Sequence, residues 1–235
     1  MYTERNFNKK AYIKSIATID GISTLGKIEK TMAEWIHDFS NLNIQISELG
    51  KKMLFIVGPT GSGKSHLADL ICSKSNKFII VPNCTTRMKR ESDTTGHFKY
   101  VNNQEFYTFI EQKDFFLARK SPLPHYGYLK DDINSIISSN FIAIFMFRFS
   151  GIKYIHQFFN NYNVIFLTSN PEILCEKSKD IFSPPCLSEI NMNLKENENL
   201  YEKIKRHNKN TFYFKNDFKT SLKGARDIII ERCSF

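Results

Sequence analysis

The sequence has few cysteines and no long apolar run, and each shortage excludes a class of protein. Its five cysteines are scattered through 235 residues without a CxxC pair, a usage that favours free thiols in a reducing compartment over a zinc site. The longest apolar run, FIAIFMF, is far shorter than the roughly 20 residues that a membrane helix needs. The first ten residues mix charges with no apolar stretch behind them, unlike a secretory signal. We therefore expect a cytoplasmic protein.

Glycine and proline are also sparse, at 10 and 7 residues, whereas 41% of the residues are hydrophobic and 24% are charged. This composition excludes collagen-like and wholly disordered chains and suits one folded domain with an appendage. The net charge of +9 raises the question of a nucleic-acid partner. The basic residues, however, are spread along the chain and form no stripe interleaved with aromatic residues, so we expect no such partner.

Apolar segments alternate with segments of helical periodicity from Lys51 onward. Continuous apolarity, rather than strict alternation, is typical of strands that are buried on both faces of a parallel sheet. Such strands alternating with helices predict an α/β sandwich of three layers with right-handed crossovers around a parallel five-stranded sheet. The predicted strands are Met53–Val57, Phe78–Pro82, Phe141–Phe147, Asn163–Ser169 and Thr211–Asn216.

Residues 1–50 lack this alternation, and we interpret them as a helical extension to a main domain of residues 51–235. Apolar spacing of i, i+3, i+4 and i+7 predicts a helix from about Thr31 to Phe39. Its apolar face comprises Met32, Trp35, Ile36 and Phe39. Such a face suits packing on the main domain, on a partner or in a homodimer. The polar stretch at residues 184–199 has few strand signals, and we expect it to be mobile.

A glycine-rich turn follows the first predicted strand and leads directly into a predicted helix. It matches GxxxxGK[ST], the P-loop pattern, in the strand-to-helix context that the motif requires. Glycines let the backbone turn inward so that its N–H groups surround a phosphate at the positive end of the helix. Lys64 would reach the β- and γ-phosphates of ATP, and the Ser65 hydroxyl would join the Mg²⁺ shell. The P-loop residues are Gly58, Pro59, Thr60, Gly61, Ser62, Gly63, Lys64 and Ser65.

A P-loop alone does not separate ATPase motors, GTPases and small-molecule kinases. No NKxD-like guanine signature of GTPases follows the later strands, and the chain is small for a remodelling ATPase with a lid domain. These two observations favour a compact kinase. The residues that would bind the phosphoryl acceptor are therefore needed to identify the class of kinase.

The segment after the second predicted strand allows that discrimination. Arg87 and Arg90 follow a Thr-Thr pair and precede Asp93 and Gly96, an order similar to the guanylate kinase pattern TTRxxRxxExxG. The similarity continues through NNQEFYTFIEQKDFF, the Tyr-Gly pair, NVIFLTSNPEIL and FKNDF, and it covers roughly residues 51–232. The chain thus resembles a divergent guanylate kinase of the nucleoside monophosphate kinase class.

The resemblance implies ATP and Mg²⁺ as cofactors, a small acceptor-binding subdomain at about residues 84–128 and a lid at about 176–199. Two arginines on one loop suit a phosphorylated acceptor because each guanidinium can donate forked hydrogen bonds to a phosphate dianion. In the family, the residues that match Arg87, Arg90 and Tyr126 bind the phosphate of GMP. The other residues that the resemblance assigns are Asn83 and Phe98 for the acceptor and Asn216 for the nucleotide.

Several positions depart from the family pattern, and most concern recognition of the base. The glutamate that grips guanine falls on Leu117, which makes no side-chain hydrogen bond. Two small hydroxyl residues fall on Asn83 and Tyr128, and a D-x-D pair after the third strand falls on Met146 and Arg148. Because unpaired polar groups are costly in a site built to hydrogen-bond a base, loss of that carboxylate should remove much of any guanine preference.

Charged residues near the two predicted ligands are candidates for catalysis. Arg148 follows a strand at the edge where α/β sheets bind ligands, and it would meet a second anionic group on the acceptor, the transferring phosphoryl group or merely a surface carboxylate. The lid carries Lys177 where the family has arginine, and lysine offers no planar fork. With Lys64, these are the predicted catalytic residues, although a lid poor in arginine puts turnover in doubt.

Three functions remain open from the sequence. The first is an ATP-dependent kinase for a small phosphorylated acceptor: a nucleoside monophosphate, with GMP as the family default, or a sugar phosphate of the ribose 1,5-bisphosphate type. The second is a catalytically weak nucleotide-binding or scaffold module, against which the complete P-loop stands. The third, phosphorylation of nucleic-acid 5′ ends, lacks a supporting basic stripe. We expect the first, with a small-molecule substrate and no membrane partner.

Overall fold

Five strands that are apolar on both faces form a parallel sheet in the computed structural model, which describes residues 34–42, 44–120, 124–159, 161–179, 187–217 and 221–233. The strands are β1 (Glu34–His37), β2 (Met53–Val57), β3 (Phe78–Ile80), β4 (Asn83–Thr85), β5 (Phe98–Tyr100), β6 (Phe115–Lys120), β7 (Tyr126–Leu129), β8 (Ile142–Phe147), β9 (Asn163–Ser169) and β10 (Thr211–Asn216). The parallel sheet, which we call the core sheet, has the order β10-β9-β2-β8-β3. The predicted parallel five-stranded sheet is confirmed.

Helices cover both faces of the core sheet and complete three layers. They are α1 (Ile46–Leu49), α2 (Lys64–Lys74), α3 (Asn103–Glu111), α4 (Lys130–Ser138), α5 (Phe149–Ile155), α6 (Pro171–Lys177), α7 (Leu187–Lys205) and α8 (Ser221–Cys233), with a 3₁₀ turn at Gly50–Lys52. Within β2, Leu54 and Ile56 pack toward α2 and α8, whereas Phe55 and Val57 pack toward α4 and α5. In the described ranges, no helix has both the length and the apolarity to cross a membrane.

A second sheet, which we call the mixed sheet, has the order β1-β6-β7-β4-β5. Only the β4–β5 pair is parallel among its described pairs. One face packs on α3 through a small cluster that includes Cys84, Phe106 and Ala118, and α3 itself begins with a capping box between Asn102 and Glu105. The sequence predicts an acceptor-binding subdomain here but no sheet, because most of these strands are only three or four residues long.

The helix predicted from Thr31 to Phe39 is wrong for its described part, since Glu34–His37 is a strand. This strand pairs antiparallel with β6, and Trp35 lies opposite Arg119. Trp35 stacks on Tyr154, and His37 contacts both Phe39 and Phe158. Positions 35, 37 and 39 thus follow a period of two, which the helical spacing concealed. Backbone pairing and aromatic packing therefore override the local pattern. Residues 1–33, including Met32, lie outside the described residues.

The stretch at residues 184–199, which the sequence predicts to be mobile, is helical from Leu187 onward. Helix α7 has 19 residues and buries Ile190, Asn197 and Ile204. Its buried positions recur every seven residues, but the polar Asn197 interrupts the apolar pattern and so masked the helix in the sequence. Of the predicted lid at residues 176–199, residues 180–186 lie outside the described ranges.

Candidate active site

The P-loop between β2 and α2 adopts a conformation that requires glycine. Gly61 and Gly63 have φ angles of +81° and +95°, which residues with a side chain rarely adopt. A Cβ atom on Gly58 would lie 2.3 Å from the carbonyl oxygen of Leu167, and one on Gly63 would lie 2.6 Å from Nδ2 of Asn216. The loop ends at the N-terminus of α2, whose free N–H groups and positive dipole suit a phosphate. This geometry fits the triphosphate of a nucleotide.

Lys64 folds back over this loop. Its Nζ donates to the carbonyl oxygens of Gly58 and Pro59, at 2.9 and 2.7 Å. Burial, together with the charge of Arg148, lowers the pKa of Lys64 to about 7. Arg148 in turn donates from Nη2 to Oγ1 of Thr60 at 2.9 Å. Two cationic side chains therefore lie at the loop, where a bound polyphosphate would neutralise both.

Asn216 supports the P-loop from the side of the core sheet. Its Nδ2 donates to the carbonyl oxygen of Ser62 at 3.0 Å, and the residue is only 1% exposed. Its backbone carbonyl accepts a hydrogen bond from the Ser169 hydroxyl at 2.7 Å. Asn216 thus supports the P-loop, and its predicted contact with the nucleotide stays a prediction.

A cavity of about 490 Å³ lies between the P-loop and the mixed sheet, within the range of small-molecule sites. It brings most of the predicted site residues together: Thr60, Gly61, Gly63, Lys64, Ser65, Asn83, Arg87, Arg90, Phe98, Tyr126, Arg148 and Lys177. The other predicted residues, Gly58, Pro59, Ser62 and Asn216, belong to the loop and its support and do not line the cavity. One cavity therefore contains the predicted nucleotide loop and the predicted phosphate-binding arginines.

Arg87 is held in a hydrogen-bonded network. Its Nη1 and Nη2 donate to the two carboxylate oxygens of Asp93, at 2.7 and 2.6 Å, and its guanidinium lies 4.3 Å from the centroid of the Phe98 ring. Asp93 also accepts from the Tyr100 hydroxyl and the Arg90 backbone N–H, at 2.6 and 2.7 Å. Partial burial would raise the pKa of Asp93, but these hydrogen bonds hold it well below its usual range. Asp93 therefore fixes both the loop and the direction of Arg87.

Three further predicted residues line the cavity around this network. The Arg90 side chain is exposed at the cavity wall, so its guanidinium is accessible to a ligand. Tyr126 lies at the start of β7, opposite Thr85 of β4. Lys177 lies at the end of α6 next to the P-loop, since a Cβ atom on Gly61 would be 2.8 Å from Cβ of Lys177. Positive charge and hydrogen-bond donors therefore surround the cavity.

The end of the cavity beside β8 is filled by a tyrosine. Tyr128 is 2% exposed, and its hydroxyl donates to the Met146 carbonyl oxygen at 2.8 Å and accepts from the Met146 N–H at 3.1 Å. Its cross-strand partner is Leu117. Oδ1 of Asn83 is buried there and has no hydrogen-bond partner among the described residues. The positions that hold a base in the family thus provide a leucine, an engaged hydroxyl and one unpaired carbonyl oxygen.

Arg119 and Trp35 are among the cavity-lining residues that were not predicted as site residues. Arg119 lies two positions after Leu117 on β6, so the period of a strand directs both side chains to the same face. Trp35 of β1 is the Cα partner of Arg119, and its ring stacks on Tyr154 with the centroids 5.4 Å apart. The alternation from Leu117 would have identified Arg119. Nothing local identifies Trp35, because its place depends on pairing between distant strands.

A cation in this site would depend on the phosphates of its ligands. The described ranges contain no group of three or more His, Cys, Asp or Glu residues suited to a metal ion. Ser65 is exposed in the first turn of α2 and lines the cavity. Its hydroxyl fits the role of a single protein ligand to Mg²⁺, with phosphate oxygens and water completing the shell.

A glycine-rich loop between a buried parallel strand and a helix, within a three-layer sandwich, defines a P-loop α/β protein. A family model, described as guanylate kinase, matches residues 50–229 of the 235. The chain therefore belongs to the guanylate kinase family, as the motif order in its sequence predicts.

Individual relatives match over part of their length. The guanylate kinase of Helicobacter pylori is 30% identical over 127 residues, which cover 53% of this chain and 62% of that protein. The guanylate kinase of Mesomycoplasma hyopneumoniae is 31% identical over 112 residues, which cover 47% and 57%. The chain thus spans about three fifths of the curated relatives that it matches. Among solved structures, guanylate kinase from Anaplasma phagocytophilum aligns with a TM-score of 0.46 and 13% identity, over 77% of this chain and 84% of that one.

Proposed function

We propose that the protein transfers the γ-phosphoryl group of ATP, with Mg²⁺, to a small molecule that already carries a phosphate. The observation that carries this proposal is the single cavity in which the P-loop faces Arg87, Arg90 and Tyr126. Family membership supports the same reaction. A nucleoside monophosphate is the acceptor class that the family favours, and GMP is its first representative to test.

The proposed reaction requires no covalent bond between the protein and the transferred phosphoryl group. An oxygen of the acceptor phosphate forms a bond to the γ-phosphorus, the bond from that phosphorus to the β,γ-bridging oxygen breaks, and ADP leaves with the electron pair. Because the attacking oxygen is already anionic, no general base is required. Bound Mg²⁺ would neutralise charge between the β- and γ-phosphates. The protein contributes position and positive charge.

Some charged residues of the cavity would bind ATP, and others would bind the acceptor. Lys64 and Arg148 lie at the P-loop and would bind the phosphate chain of ATP. Lys177, beside Gly61, would approach the transferring group from the α6 side. Arg90 is exposed and would donate a fork to the acceptor phosphate, while Arg87 is already directed by Asp93. These roles make Lys64, Arg148 and Lys177 the proposed catalytic residues.

Release of ADP in a coupled assay tests the proposal. Purified protein is supplied with ATP, Mg²⁺ and a panel of nucleoside monophosphates and sugar phosphates. We expect transfer to at least one acceptor, at least a hundredfold slower transfer by Lys64→Ala, and a raised acceptor KM for Arg90→Gln. Lys89→Gln is the matched control, because it removes a neighbouring exposed charge that does not line the cavity. Transfer to no acceptor above the rate of Lys64→Ala would overturn the proposal, and ATP binding without transfer would instead identify a nucleotide-binding module.

A further inference from the structure

Arg119 lines the acceptor side of the cavity. It lies on β6 between Trp35 of β1 and Tyr126 of β7, which are its Cα partners on the two neighbouring strands. Residues opposite each other in antiparallel strands share a face of the sheet, and all three line the cavity. Nε of Arg119 is buried and has no hydrogen-bond partner among the described residues. Arg119 therefore brings a guanidinium to the cavity wall, and its Nε has no partner within the part of the chain that the structure describes.

Arg148 provides a second guanidinium on the same cavity. Burial and the charge of Arg148 lower the pKa of Arg119, while Tyr126 acts weakly in the opposite direction. Within the described ranges neither guanidinium forms an ion pair with a carboxylate, and a like charge nearby is unfavourable for the partly buried Arg119. An anionic ligand group would satisfy the donors of Arg119 and relieve the repulsion between the two side chains.

The rest of this end of the cavity does not suit a base. Leu117 offers no polar group, and the Tyr128 hydroxyl is occupied on both sides by the backbone of Met146. The remaining buried polar atom is Oδ1 of Asn83, an unpaired acceptor that suits a hydroxyl donor. This wall thus offers guanidinium donors that suit a phosphate and one acceptor that suits a hydroxyl group. A phosphorylated polyol carries both of these groups.

We propose that the acceptor carries a second anionic group, which binds at Arg119, and that a sugar bisphosphate is the preferred class of acceptor. One phosphate lies at Arg87, Arg90 and Tyr126 and accepts the γ-phosphoryl group. The second lies at Arg119, while Arg148 binds the phosphate chain of ATP at the P-loop. This inference rests on the proposed function and narrows it, because a purine nucleoside monophosphate places a neutral base where the structure provides cations.

Calorimetry tests the second anionic site with three probes: ribose 5-phosphate, ribose 1,5-bisphosphate and GMP. We expect the bisphosphate to bind at least about tenfold more tightly than the other two, since a charge-assisted hydrogen bond contributes this much. Arg119→Gln should remove most of that preference and leave ribose 5-phosphate binding within about twofold, whereas Arg119→Lys should retain part of it.

Lys120→Gln is the matched control for the loss of charge. Lys120 is the next residue on the same strand, but it pairs with Glu34 and lies near the Tyr107 ring on the opposite face. This variant should keep the full preference for the bisphosphate. Equal affinity for one and two phosphates, or equal losses in Arg119→Gln and Lys120→Gln, would overturn the inference. A thermal melt of each variant checks that it is folded.

The same samples separate this inference from the proposed function. If the bisphosphate binds through Arg119 but no acceptor stimulates release of ADP from ATP, the second anionic site stands and the kinase proposal fails. If GMP is phosphorylated efficiently and Arg119→Gln has no effect on any acceptor, the kinase proposal stands and the second anionic site is wrong.

Discussion

Arg87 directs both terminal nitrogens of its guanidinium at the two carboxylate oxygens of Asp93, at 2.7 and 2.6 Å. The pair is nearly buried, with side-chain exposures of 10% and 9%. The residue that the family would use to bind an acceptor phosphate is therefore oriented before any acceptor arrives. The same carboxylate also accepts hydrogen bonds from Tyr100 and from the Arg90 backbone. Arg87 is consequently a rigid part of the loop, and Arg90 is the accessible arginine.

Substitution of Asp93 by Asn should weaken both the fold and acceptor binding. The variant loses the charge and one acceptor oxygen of a nearly buried network, so we expect a loss of about 1 to 3 kcal/mol in the free energy of unfolding at pH 7. It should also raise the acceptor KM, because Arg87 is no longer held. Denaturant unfolding and the ADP assay measure the two effects. Glu91→Gln, an exposed change on the same loop, should alter neither by more than a small amount.

The effect of Asp93 on stability should also depend on pH. Because the pKa of Asp93 is lower in the folded state, its contribution is fully present above the ordinary carboxyl pKa of about 4 and is lost as the pH falls toward the folded value. The destabilisation caused by Asp93→Asn should therefore be smaller at pH 3 than at pH 7. An equal loss at both values would contradict the ion pair with Arg87.

Binding of ATP should drive proton uptake by Lys64. Its pKa of about 7 in the free protein leaves it mostly neutral at pH 8, and a bound polyphosphate favours the charged form. Below pH 7 Lys64 is already protonated, so ATP binding takes up no proton there. Above pH 7 the neutral lysine must be protonated on binding, and each further pH unit weakens the affinity for ATP by up to about tenfold. Calorimetry at pH 8 in two buffers of different ionisation enthalpy should detect uptake that is absent at pH 6.

Lys64→Arg provides the control for that experiment, because an arginine stays charged throughout this range. It should show little proton uptake at either pH. Uptake at pH 8 that persists unchanged in Lys64→Arg would assign the proton to another group.

The core sheet and the P-loop could be predicted because their signals are local. Met53–Val57 is buried on both faces, and the glycines of the loop stand at fixed spacing directly after it. The mixed sheet could not be predicted in the same way, since β1 pairs with β6 from a distant part of the chain. Trp35 and Arg119 meet only through that pairing. The site could thus be predicted where a motif specifies it, and the inner wall of the cavity could not.

The pairing of Arg87 with Asp93 illustrates a second limit. Both residues belong to the motif that the sequence reveals, but a motif does not show whether an arginine faces a ligand or a neighbouring carboxylate. Asn216 is a similar case, because its position near the nucleotide loop could be predicted and its hydrogen bond to the Ser62 backbone could not. Three-dimensional packing decides the direction of each side chain.

Two glycines on different elements should respond in opposite ways to alanine. Gly63 has a φ angle of +95°, and an added Cβ would lie 2.6 Å from the buried Asn216 side chain. Gly63→Ala should therefore cost about 1 to 3 kcal/mol in the free energy of unfolding and abolish ATP binding. Gly224 lies within α8, and an added Cβ meets nothing within 4 Å. Gly224→Ala should stabilise the protein by up to about 1 kcal/mol without changing ATP affinity.

Truncation of Trp35 should separate the acceptor wall from the nucleotide site. The ring is partly buried against Tyr154 and lines the cavity beside Arg119. Trp35→Ala should cost about 2 kcal/mol in the free energy of unfolding and raise the acceptor KM, whereas ATP affinity should hold because the P-loop lies on other elements. Met88→Ala is the matched control, since Met88 is 89% exposed and should change stability by less than about 0.5 kcal/mol. Wild-type stability in Trp35→Ala would mean that β1 does not pair with β6 in solution.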